Sequence, residues 1–308
     1  MWSFRHFPSF TGRKSNVIMG IKKIIFKWLP ESKAKELRYQ YRLFRQKLHK
    51  PLSEEAFRLL LTQKLGIRTG DTLFIHSSMD FLNVSFTPLR LLNLLMEVTG
   101  KEGTLLFPGW HFNYRAEDYM QDGNNIFDMK RSPAVMGLLP ELARRLPDAH
   151  RSVHPVNSII GIGKNARDIL SGHEQSIYPC GEFSPYYKML KYNAKIVGIG
   201  VNTNFLSFVH CPENMMKDDF PMQTLTKQVF AGKVRLPSGE VIAVKTLVAH
   251  QDIQRMNIPL FVKKHIPKKT LSEFSLAGSD FYFADANALF NKMIELAKQK
   301  ITIYGAFA

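Results

Sequence analysis

Residues 151–163 read RSVHPVNSIIGIG, a short polar segment that leads directly into an apolar run. The dipeptide His154-Pro155 favours an extended backbone before the proline, and residues 158–162 have the apolar character of a buried strand. A second run of this kind, KIVGIGV, occupies residues 195–201. The fold prediction starts from these two strands.

Helical and strand patterns alternate on both sides of these runs. Further strands are predicted at residues 71–76 and 103–107, and a hairpin at 233–245 turns around Pro237-Ser238-Gly239. The predicted helices cover residues 53–65 (with Ser53 as N-cap), 88–98, 136–146, 166–172 and 285–298. The alternation favours an α/β fold, a single domain over residues 51–308 with a central mixed sheet flanked by helices.

Residues 1–50 form a basic extension ahead of this domain. They hold 13 lysines and arginines against two acids, a net charge of +11 out of the +16 of the whole chain, which leaves +5 for the rest. Residues 18–29, IMGIKKIIFKWL, predict a short amphipathic helix that Pro30 ends, and a second helix is predicted at 32–49. Two roles are open: packing on the domain or in a homodimer, and adsorption to an anionic membrane face. Nucleic acid has less support, because no binding motif occurs in the domain.

The composition narrows the class of protein further. Hydrophobic residues make up 45% of the chain, as in a globular domain, and no run of 18 apolar residues predicts a membrane-spanning helix. The two cysteines, Cys180 and Cys211, fit a reducing compartment and are too few for a thiolate zinc site, so no metal is expected. The N-terminus carries no recognisable secretory signal. We therefore expect a cytoplasmic protein, peripheral to the inner membrane face if the extension adsorbs there.

Two histidines and one carboxylate are the candidate proton-transfer groups. In VHCPEN, residues 209–214, His210 precedes Glu213 by three residues, so a helix places both side chains on one face. His154 lies in the polar segment quoted above. An imidazole titrates near neutral pH and can take a proton from an attacking amine.

The predicted strand 71–76 ends in His76-Ser77-Ser78. A strand that exits into small polar residues can present backbone N–H groups at the carboxyl edge of a sheet. Such groups hold a pantetheine amide or the oxyanion of a tetrahedral intermediate. A plain strand-end turn is the simpler explanation of these residues taken alone.

Short motifs follow one another in a characteristic order over residues 52–302. They are the strand ending in His-Ser-Ser, FDMKRSPAVMG at 127–137, RSVHPVNS at 151–158, Ser184-Pro185 after Gly181, KIVGIGV at 195–201, VHCPE at 209–213 and the closing segment 276–297. This ordered set resembles the aminoglycoside 3-N-acetyltransferase family. The resemblance implies transfer of an acetyl group from acetyl-CoA to an amine on a single α/β domain, with no metal and no covalent acyl-enzyme.

The resemblance also implies roles for individual residues. It makes His210 the general base with Glu213 as its acidic neighbour, and it places His154 near the thioester, although a buried histidine bonded to the backbone is the alternative. CoA contacts are implied for His76, Ser77, Ser78, Ser132, Met136, Gly137 and Ser158. Acceptor contacts are implied for Trp110, Tyr114, Asp128 and Ser184, of which Ser184 could equally cap a helix ahead of Pro185. Spacing leaves open whether Glu213 orients His210 or contacts the acceptor.

The chain departs from the family where the acceptor is expected. Asn202-Thr203 lie seven residues or more before His210, so either Ser207 takes the place of the threonine or an insertion has remodelled this turn. The aromatic loop at 110–125, WHFNYRAEDYMQDGNN, carries few acids, although a polycationic antibiotic requires an acidic site. We therefore expect the acceptor to be an anionic amino sugar of surface-polysaccharide assembly. The alternatives are antibiotic resistance by aminoglycoside acetylation and an inactive, membrane-associated scaffold of the same fold.

Overall fold

The computed structural model describes residues 31–250 and 256–306, so the predicted amphipathic helix at 18–29 lies outside the described residues. The helices are α1 (Glu31–Lys47), α2 (Glu54–Leu59), α3 (Pro88–Thr99), α4 (Ala116–Gln121), α5 (Leu138–Arg144), α6 (Ala166–Leu170), α7 (Pro185–Lys188), α8 (His210–Met216), α9 (Ile258–His265) and α10 (Ala286–Lys298). None of the helices in the described ranges is both long and apolar enough to cross a membrane.

Most strands belong to one large sheet. The strands are β1 (Thr72–Ser77), β2 (Thr104–Pro108), β3 (Ile126–Asp128), β4 (His150–Arg151), β5 (Ile159–Gly163), β6 (Lys195–Ile199), β7 (Phe230–Arg235), β8 (Val241–Thr246), β9 (Leu271–Leu276), β10 (Ser279–Asp285), β11 (Ile301–Thr302) and β12 (Gly305–Ala306). The large sheet has the order β4-β5-β2-β1-β6-β10-β9, and β3-β7-β8 form a second sheet. Strand β1 is parallel to β2 and β6, whereas β5 and β10 pair antiparallel to their neighbours, so the sheet is mixed.

Side chains of β1 alternate between two apolar clusters, one on each face of the large sheet. Leu73 and Ile75 pack with residues of α3 and α5, whereas Phe74 packs with residues of α6, α9 and α10. A sheet that is covered on both faces buries both sides of its central strands, which explains the continuous apolar runs. The predicted fold class, a central mixed sheet flanked by helices, is confirmed.

Local signals position the helices near the predicted boundaries. Oγ of Ser53 accepts the N–H of Ala56 at 3.2 Å, which makes it the N-cap of α2. The helical chain then continues through a wider turn at Leu60–Lys64. Strands β7 and β8 form the predicted hairpin around Pro237-Ser238-Gly239.

The hairpin of β9 and β10 is not predicted by the sequence patterns. It adds two antiparallel strands beside β6 and so completes the large sheet. Its turn residues Ala277 and Gly278 both have positive φ, at 50° and 79°. Tight hairpins usually have Asn-Gly or Asp-Gly at these two positions, so the dipeptide Ala-Gly is only a weak sequence signal for the turn.

Part of the basic extension packs on the domain. In α1, Nη2 of Arg45 pairs with Oδ1 of Asp280 at 2.7 Å, and Nε of Arg45 donates to the carbonyl of Gly278 at 2.9 Å. Nη2 of Arg42 donates to the carbonyl of Gly200 at 3.0 Å. These bonds attach α1 to the β9–β10 turn and to the end of β6.

Candidate active site

The candidate site lies at the carboxyl ends of β1, β2 and β6, three neighbouring parallel strands. Ligands of open α/β sheets commonly bind at this edge, in the crevice outside the strand ends. The segments that follow the three strands enclose a cavity of about 230 Å³, which we call the strand-end cavity. Its lining includes His76, Ser77, Trp110, Met136, Ser207 and His210.

A second cavity of about 220 Å³, the loop cavity, adjoins the first. Trp110, His210 and Met256 line both cavities. The lining of the loop cavity also includes Tyr114 and Glu213, and it contains no lysine or arginine among the described residues. Two compartments that share one histidine can hold two reactants on either side of one proton-transfer group.

His210 and Glu213 pair on α8, as their spacing predicts. Nδ1 of His210 lies 3.0 Å from Oε2 of Glu213. The Glu213 side chain is 2% exposed, whereas that of His210 is 27% exposed. Because the carboxylate accepts the hydrogen bond, Nδ1 carries a hydrogen and Nε2 keeps its lone pair in the neutral ring. His210 can therefore accept a proton while Glu213 stabilises the resulting imidazolium.

The charge of Glu213 controls the protonation of His210. Burial disfavours the charged imidazolium, but the negative charge of Glu213 and the hydrogen bond outweigh burial. The pKa of His210 is therefore raised above its ordinary value of 6.5. Only the neutral ring can act as a base, so the competent fraction rises as the pH rises through this raised pKa.

His76 at the end of β1 is a different kind of histidine. Its Nε2 lies 2.9 Å from Oγ of Ser207 and accepts the N–H of Ser207 at 3.4 Å. Burial lowers the pKa of His76 to about 3, so the ring is neutral at neutral pH. His76 thus holds the turn that carries Ser207 and is unsuited to proton transfer.

Three buried polar atoms of residues that line the strand-end cavity have no hydrogen-bond partner among the described residues. They are Nδ1 of His76, Oγ of Ser77 and Nε1 of Trp110. A buried polar group without a partner is costly, so these atoms mark positions where a polar group of a ligand would bind.

Three further residues predicted for CoA, Met136, Gly137 and Ser78, lie at or next to this cavity. Met136 lines it. Gly137, with φ at 120°, lets the chain approach β1, because a Cβ there would come within 3.2 Å of the carbonyl oxygen of Ser77. The N–H of Ser78 donates to the carbonyl of Ile199 at 3.0 Å and so continues the β1–β6 ladder.

His154 does not take the position near the thioester that the resemblance implies. It is fully buried, and its Nδ1 accepts the N–H groups of Val156 and Asn157 at 3.2 and 2.9 Å. Burial, and then the neighbouring His173, lower its pKa well below the ordinary value, so it is a neutral ring. Val156 and Asn157 line the loop cavity, whereas His154 does not. The alternative of a buried histidine bonded to the backbone therefore describes His154.

Ser158 also faces the interior of the protein. Its Oγ donates to the carbonyl of Gly109 at 2.7 Å and accepts from Nε of Arg151 at 3.2 Å. Neither cavity includes Ser158 in its described lining. Contrary to the predicted CoA contact, Ser158 secures the backbone next to Trp110.

Asp128 and Ser132 form a turn outside both cavities. Oδ1 of Asp128 accepts the N–H groups of Lys130 and Arg131 at 2.9 and 2.8 Å, and the N–H of Asp128 donates to Oγ of Ser132 at 2.9 Å. Aspartate and serine commonly stabilise turns in this way. The structure therefore does not bring Asp128 to the predicted acceptor site or Ser132 to the predicted CoA site.

Ser184 caps a helix instead of lining a cavity. Its Oγ accepts the N–H of Tyr187 at 3.3 Å and donates to the carbonyl of Gly181 at 2.6 Å, and its side chain is fully buried. Pro185 occupies the first turn of α7. Of the two readings of Ser-Pro, the helix cap is the one that the structure supports.

We expect Ser184→Ala to destabilise the protein by about 1–2 kcal/mol, because it removes the N-cap of α7 and a buried hydrogen bond to the carbonyl of Gly181. The Michaelis constants should not change. Thr87→Ala, which removes the N-cap of the remote helix α3, is the matched control for a simple capping loss. A KM that rises several-fold in Ser184→Ala at unchanged stability would show instead that Ser184 contacts a substrate.

The turn before His210 places Thr203 and Ser207 in different surroundings. Thr203 is buried, and its Oγ1 donates to Oε1 of Glu273 at 2.7 Å, away from the strand-end cavity. Ser207 lines that cavity instead. Of these two hydroxyl residues, Ser207 is therefore the one that can contact a ligand in the strand-end cavity.

Tyr304 is a site residue that the sequence motifs miss. Its Oη donates to Oε2 of Glu213 at 3.2 Å, and it lines the loop cavity. It reaches α8 from the β11–β12 turn near the C-terminus. No spacing rule connects one tyrosine in ITIYGAFA with a carboxylate so far away along the chain.

The cysteines are not activated nucleophiles. Cys180 and Cys211 are both buried and unpaired. Burial raises the pKa of both thiols well above the ordinary value, which keeps them protonated. In the described ranges, no three His, Cys, Asp or Glu residues are grouped so that they could hold a metal ion.

The sequence is similar to enzymes that acetylate aminoglycosides. The family model described as aminoglycoside 3-N-acetyltransferase matches residues 74–297. Aminoglycoside N(3)-acetyltransferase IX of Micromonospora chalcea is 25% identical over 162 residues, which cover 48% of this chain and 57% of that enzyme. The chain thus matches little more than half the length of this curated relative.

Solved structures share the fold over most of the chain. The crystal structure of the aminoglycoside acetyltransferase AAC(3)-Xa has a TM-score of 0.69 at 20% identity and covers 86% of this chain and 98% of that one. AAC-IIIb, solved as a binary complex with CoASH, has a TM-score of 0.66 at 20% identity and covers 83% and 99%. Because the family match extends over well more than half of its length, the chain belongs to the aminoglycoside 3-N-acetyltransferase family.

Proposed function

We propose that this protein transfers an acetyl group from acetyl-CoA to an amine of an aminoglycoside-type amino sugar. The observation that carries the proposal is the position of His210, which lines both cavities while its Nδ1 is bonded to the buried Glu213. A base at the junction of two ligand compartments suits a direct transfer between two bound substrates.

The strand-end cavity suits the donor. Met136, Leu206 and Ile258 give it an apolar lining that fits a pantetheine arm. The indole N–H of Trp110 and the hydroxyl of Ser77 are unpartnered donors that would bind a thioester oxygen and stabilise the charge that develops there. The CoASH complex of AAC-IIIb, a protein of the same fold, supports a CoA ligand in this family.

The loop cavity suits a cationic acceptor. Trp110 and Tyr114 offer aromatic faces on which a sugar ring can stack. Oε2 of Glu213 holds His210, whereas Oε1 is buried and has no partner among the described residues. The spacing of the sequence left open whether Glu213 orients His210 or contacts the acceptor. We infer that it does both: one carboxylate oxygen orients His210, and the other binds an ammonium group of the acceptor.

The acceptor class differs from the one expected from the net charge. The relatives are named for aminoglycosides, which favours the antibiotic alternative, and nothing in the comparisons supports surface-polysaccharide assembly. The lining of the loop cavity supports the same conclusion, because among the described residues it holds Glu213 and no lysine or arginine, which favours a cationic ligand. The basic residues that dominate the net charge lie elsewhere in the chain.

The proposed reaction is a direct acyl transfer. The amine nitrogen of the acceptor attacks the thioester carbonyl carbon, and its proton passes to Nε2 of His210. The tetrahedral intermediate collapses by breaking the C–S bond, and the departing sulfur takes the proton back from Nε2 of His210 to leave as CoA thiol, which restores the neutral ring. Glu213 stabilises the imidazolium between these two proton transfers.

An acceptor panel tests this proposal. The full chain is incubated with acetyl-CoA and with aminoglycosides or nucleotide-linked amino sugars, and thiol release is followed together with product mass. We expect kcat/KM to be highest for an aminoglycoside. A clear preference for nucleotide-linked amino sugars would favour surface-polysaccharide assembly. Absence of turnover with every amine would favour the inactive scaffold.

Membrane adsorption of the extension stays a proposal. Residues 1–30 contain six lysines and arginines and no acid. We expect the full chain to sediment with liposomes that contain anionic lipid at low salt, and to be released as salt screens the attraction. A chain that lacks residues 1–30 is the control. Equal sedimentation of both proteins would contradict membrane adsorption by the extension. Packing on the domain or dimer formation would then be its role.

A further inference from the structure

Tyr304 connects the C-terminal hairpin with the candidate base. The hairpin of β11 and β12 lies beyond the family-model match, which ends at residue 297. Its turn is fixed to the body, because the N–H of Asn257 donates to the carbonyl of Ile303 at 3.0 Å and the Ile303 side chain is buried in the core. The N–H of Tyr304 donates to Oγ1 of Thr302 at 3.2 Å, which orders the turn itself. The phenol therefore reaches Glu213 from an anchored segment.

One carboxylate oxygen of Glu213 accepts two hydrogen bonds. Oε2 of Glu213 accepts from Oη of Tyr304 at 3.2 Å and from Nδ1 of His210 at 3.0 Å. Burial, and then the charge of Glu213, raise the pKa of Tyr304 above its ordinary value, so the phenol stays a donor across the working pH range. A hydrogen bond donated to a carboxylate withdraws part of the charge that the carboxylate can offer to another donor.

We propose that Tyr304 is a positioning residue that sets the proton affinity of His210 by competing with it for Oε2 of Glu213. Without the phenol, the full carboxylate charge would fall on the imidazolium, and His210 would remain protonated and inactive to higher pH. With the phenol, the pair keeps Glu213 charged and oriented while more of His210 is neutral at neutral pH. The catalytic part of this inference rests on the proposed function, whereas the coupling of the three side chains does not.

The other titratable groups that face the pair do not account for such tuning. His76 approaches from β1 and is a neutral ring. Cys180 approaches from the loop before α7 and remains a thiol. Lys217, Asp218 and Lys227 line a separate cavity that shares Glu213, but none of the three bonds to Glu213 or His210 among the described contacts. Tyr304 is thus the neighbour that bonds directly to the oxygen on which His210 depends.

The test is an NMR titration of the histidines in the full-length protein. The resonances of His210 are identified among the ten histidines by their loss in His210→Gln. We expect Tyr304→Phe to raise the pKa of His210 by about half a unit to one unit, because one donor to the carboxylate is lost. An unchanged or lowered pKa of His210 would overturn the proposal.

Two further variants test whether a pKa shift of His210 comes from the hydrogen bond between Tyr304 and Glu213. Tyr192→Phe removes another tyrosine hydroxyl that donates to a carboxylate, that of Asp168, on the surface away from both cavities, and it should leave His210 unchanged. In a Glu213→Gln background, adding Tyr304→Phe should no longer shift the pKa of His210, since the shared charge is absent. A persisting shift there would mean that Tyr304 acts by packing, which contradicts the proposal.

Kinetics distinguish this inference from the proposed function. The acid limb of the kcat/KM profile should move to higher pH in Tyr304→Phe by the same amount as the NMR titration. If the NMR shift appears but no amine is acetylated, the coupling stands and the proposed function fails. If turnover is found but neither measurement shifts, the proposed function stands and the role of Tyr304 is wrong.

Discussion

His210→Ala is expected to lower kcat/KM for acetyl transfer by about 10²–10⁴-fold, the contribution typical of a positioned general base. Its side chain is the group shared by the two cavities, and its Nε2 is free to accept the amine proton. The fold should tolerate the change, because His210 is partly exposed and lies in the first turn of α8. The assay is thiol release from acetyl-CoA with saturating amine.

The pH dependence separates loss of the base from loss of structure. The wild-type protein should lose activity as the pH falls through the pKa of His210, which Glu213 raises above 6.5. His210→Ala should lose this acid limb together with the rate. His49→Ala, a change at an exposed histidine, is the matched control and should keep both. A His210→Ala protein that retains most of its activity with the same acid limb would contradict the assignment of the base.

Arg151→Met is expected to lower the free energy of unfolding by about 3–5 kcal/mol, since it removes several hydrogen bonds that a buried guanidinium donates. Arg151 is buried and donates to the carbonyls of Ser132 and Gly109 and to Oγ of Ser158. Its guanidinium also lies over the ring of Phe127 at 4.5 Å. One side chain thus joins β4 to the backbone that precedes Trp110.

Urea unfolding checks this prediction. Arg145→Met is the matched control, because Arg145 is 68% exposed and pairs only with Glu141 among the described contacts. It should cost no more than about 1 kcal/mol, as for an exposed ion pair. A loss in Arg151→Met as small as that of the control would show that the network does not hold the site together.

Many of the helices and strands of the fold can be predicted from local sequence patterns. The runs IIGIG and KIVGI are apolar on both faces, and both lie in the covered sheet as β5 and β6. Ser53 and Ser184 cap the helices that begin after them. The pair His210 and Glu213 needs only helical spacing to meet, so it too could be predicted.

The remaining parts of the site depend on long-range contacts that no local pattern encodes. The phenol of Tyr304 meets Glu213 only because a C-terminal turn packs beside α8. His154 resembles a ligand-facing histidine in sequence, yet the turn after Pro155 folds Val156 and Asn157 back so that their N–H groups reach its ring. A histidine in a tight polar turn can face either way, and the packing around it decides.

The net charge of the chain and the lining of the loop cavity favour different classes of acceptor. The +16 of the chain is concentrated in residues 1–50, whereas the loop cavity presents Glu213 and no described lysine or arginine. Recognition depends on the field inside a cavity, which the sum over a chain does not report.

Direct transfer between two bound substrates is the central claim, and intact-protein mass spectrometry combined with product analysis tests it most directly. The full-length protein is incubated first with acetyl-CoA alone and then with an aminoglycoside as well. We predict no change in protein mass in the first step, and one CoA thiol released per acetylated amine in the second. An acetylated protein that passes its acetyl group to the amine, or the absence of any acetylated aminoglycoside, would contradict the account.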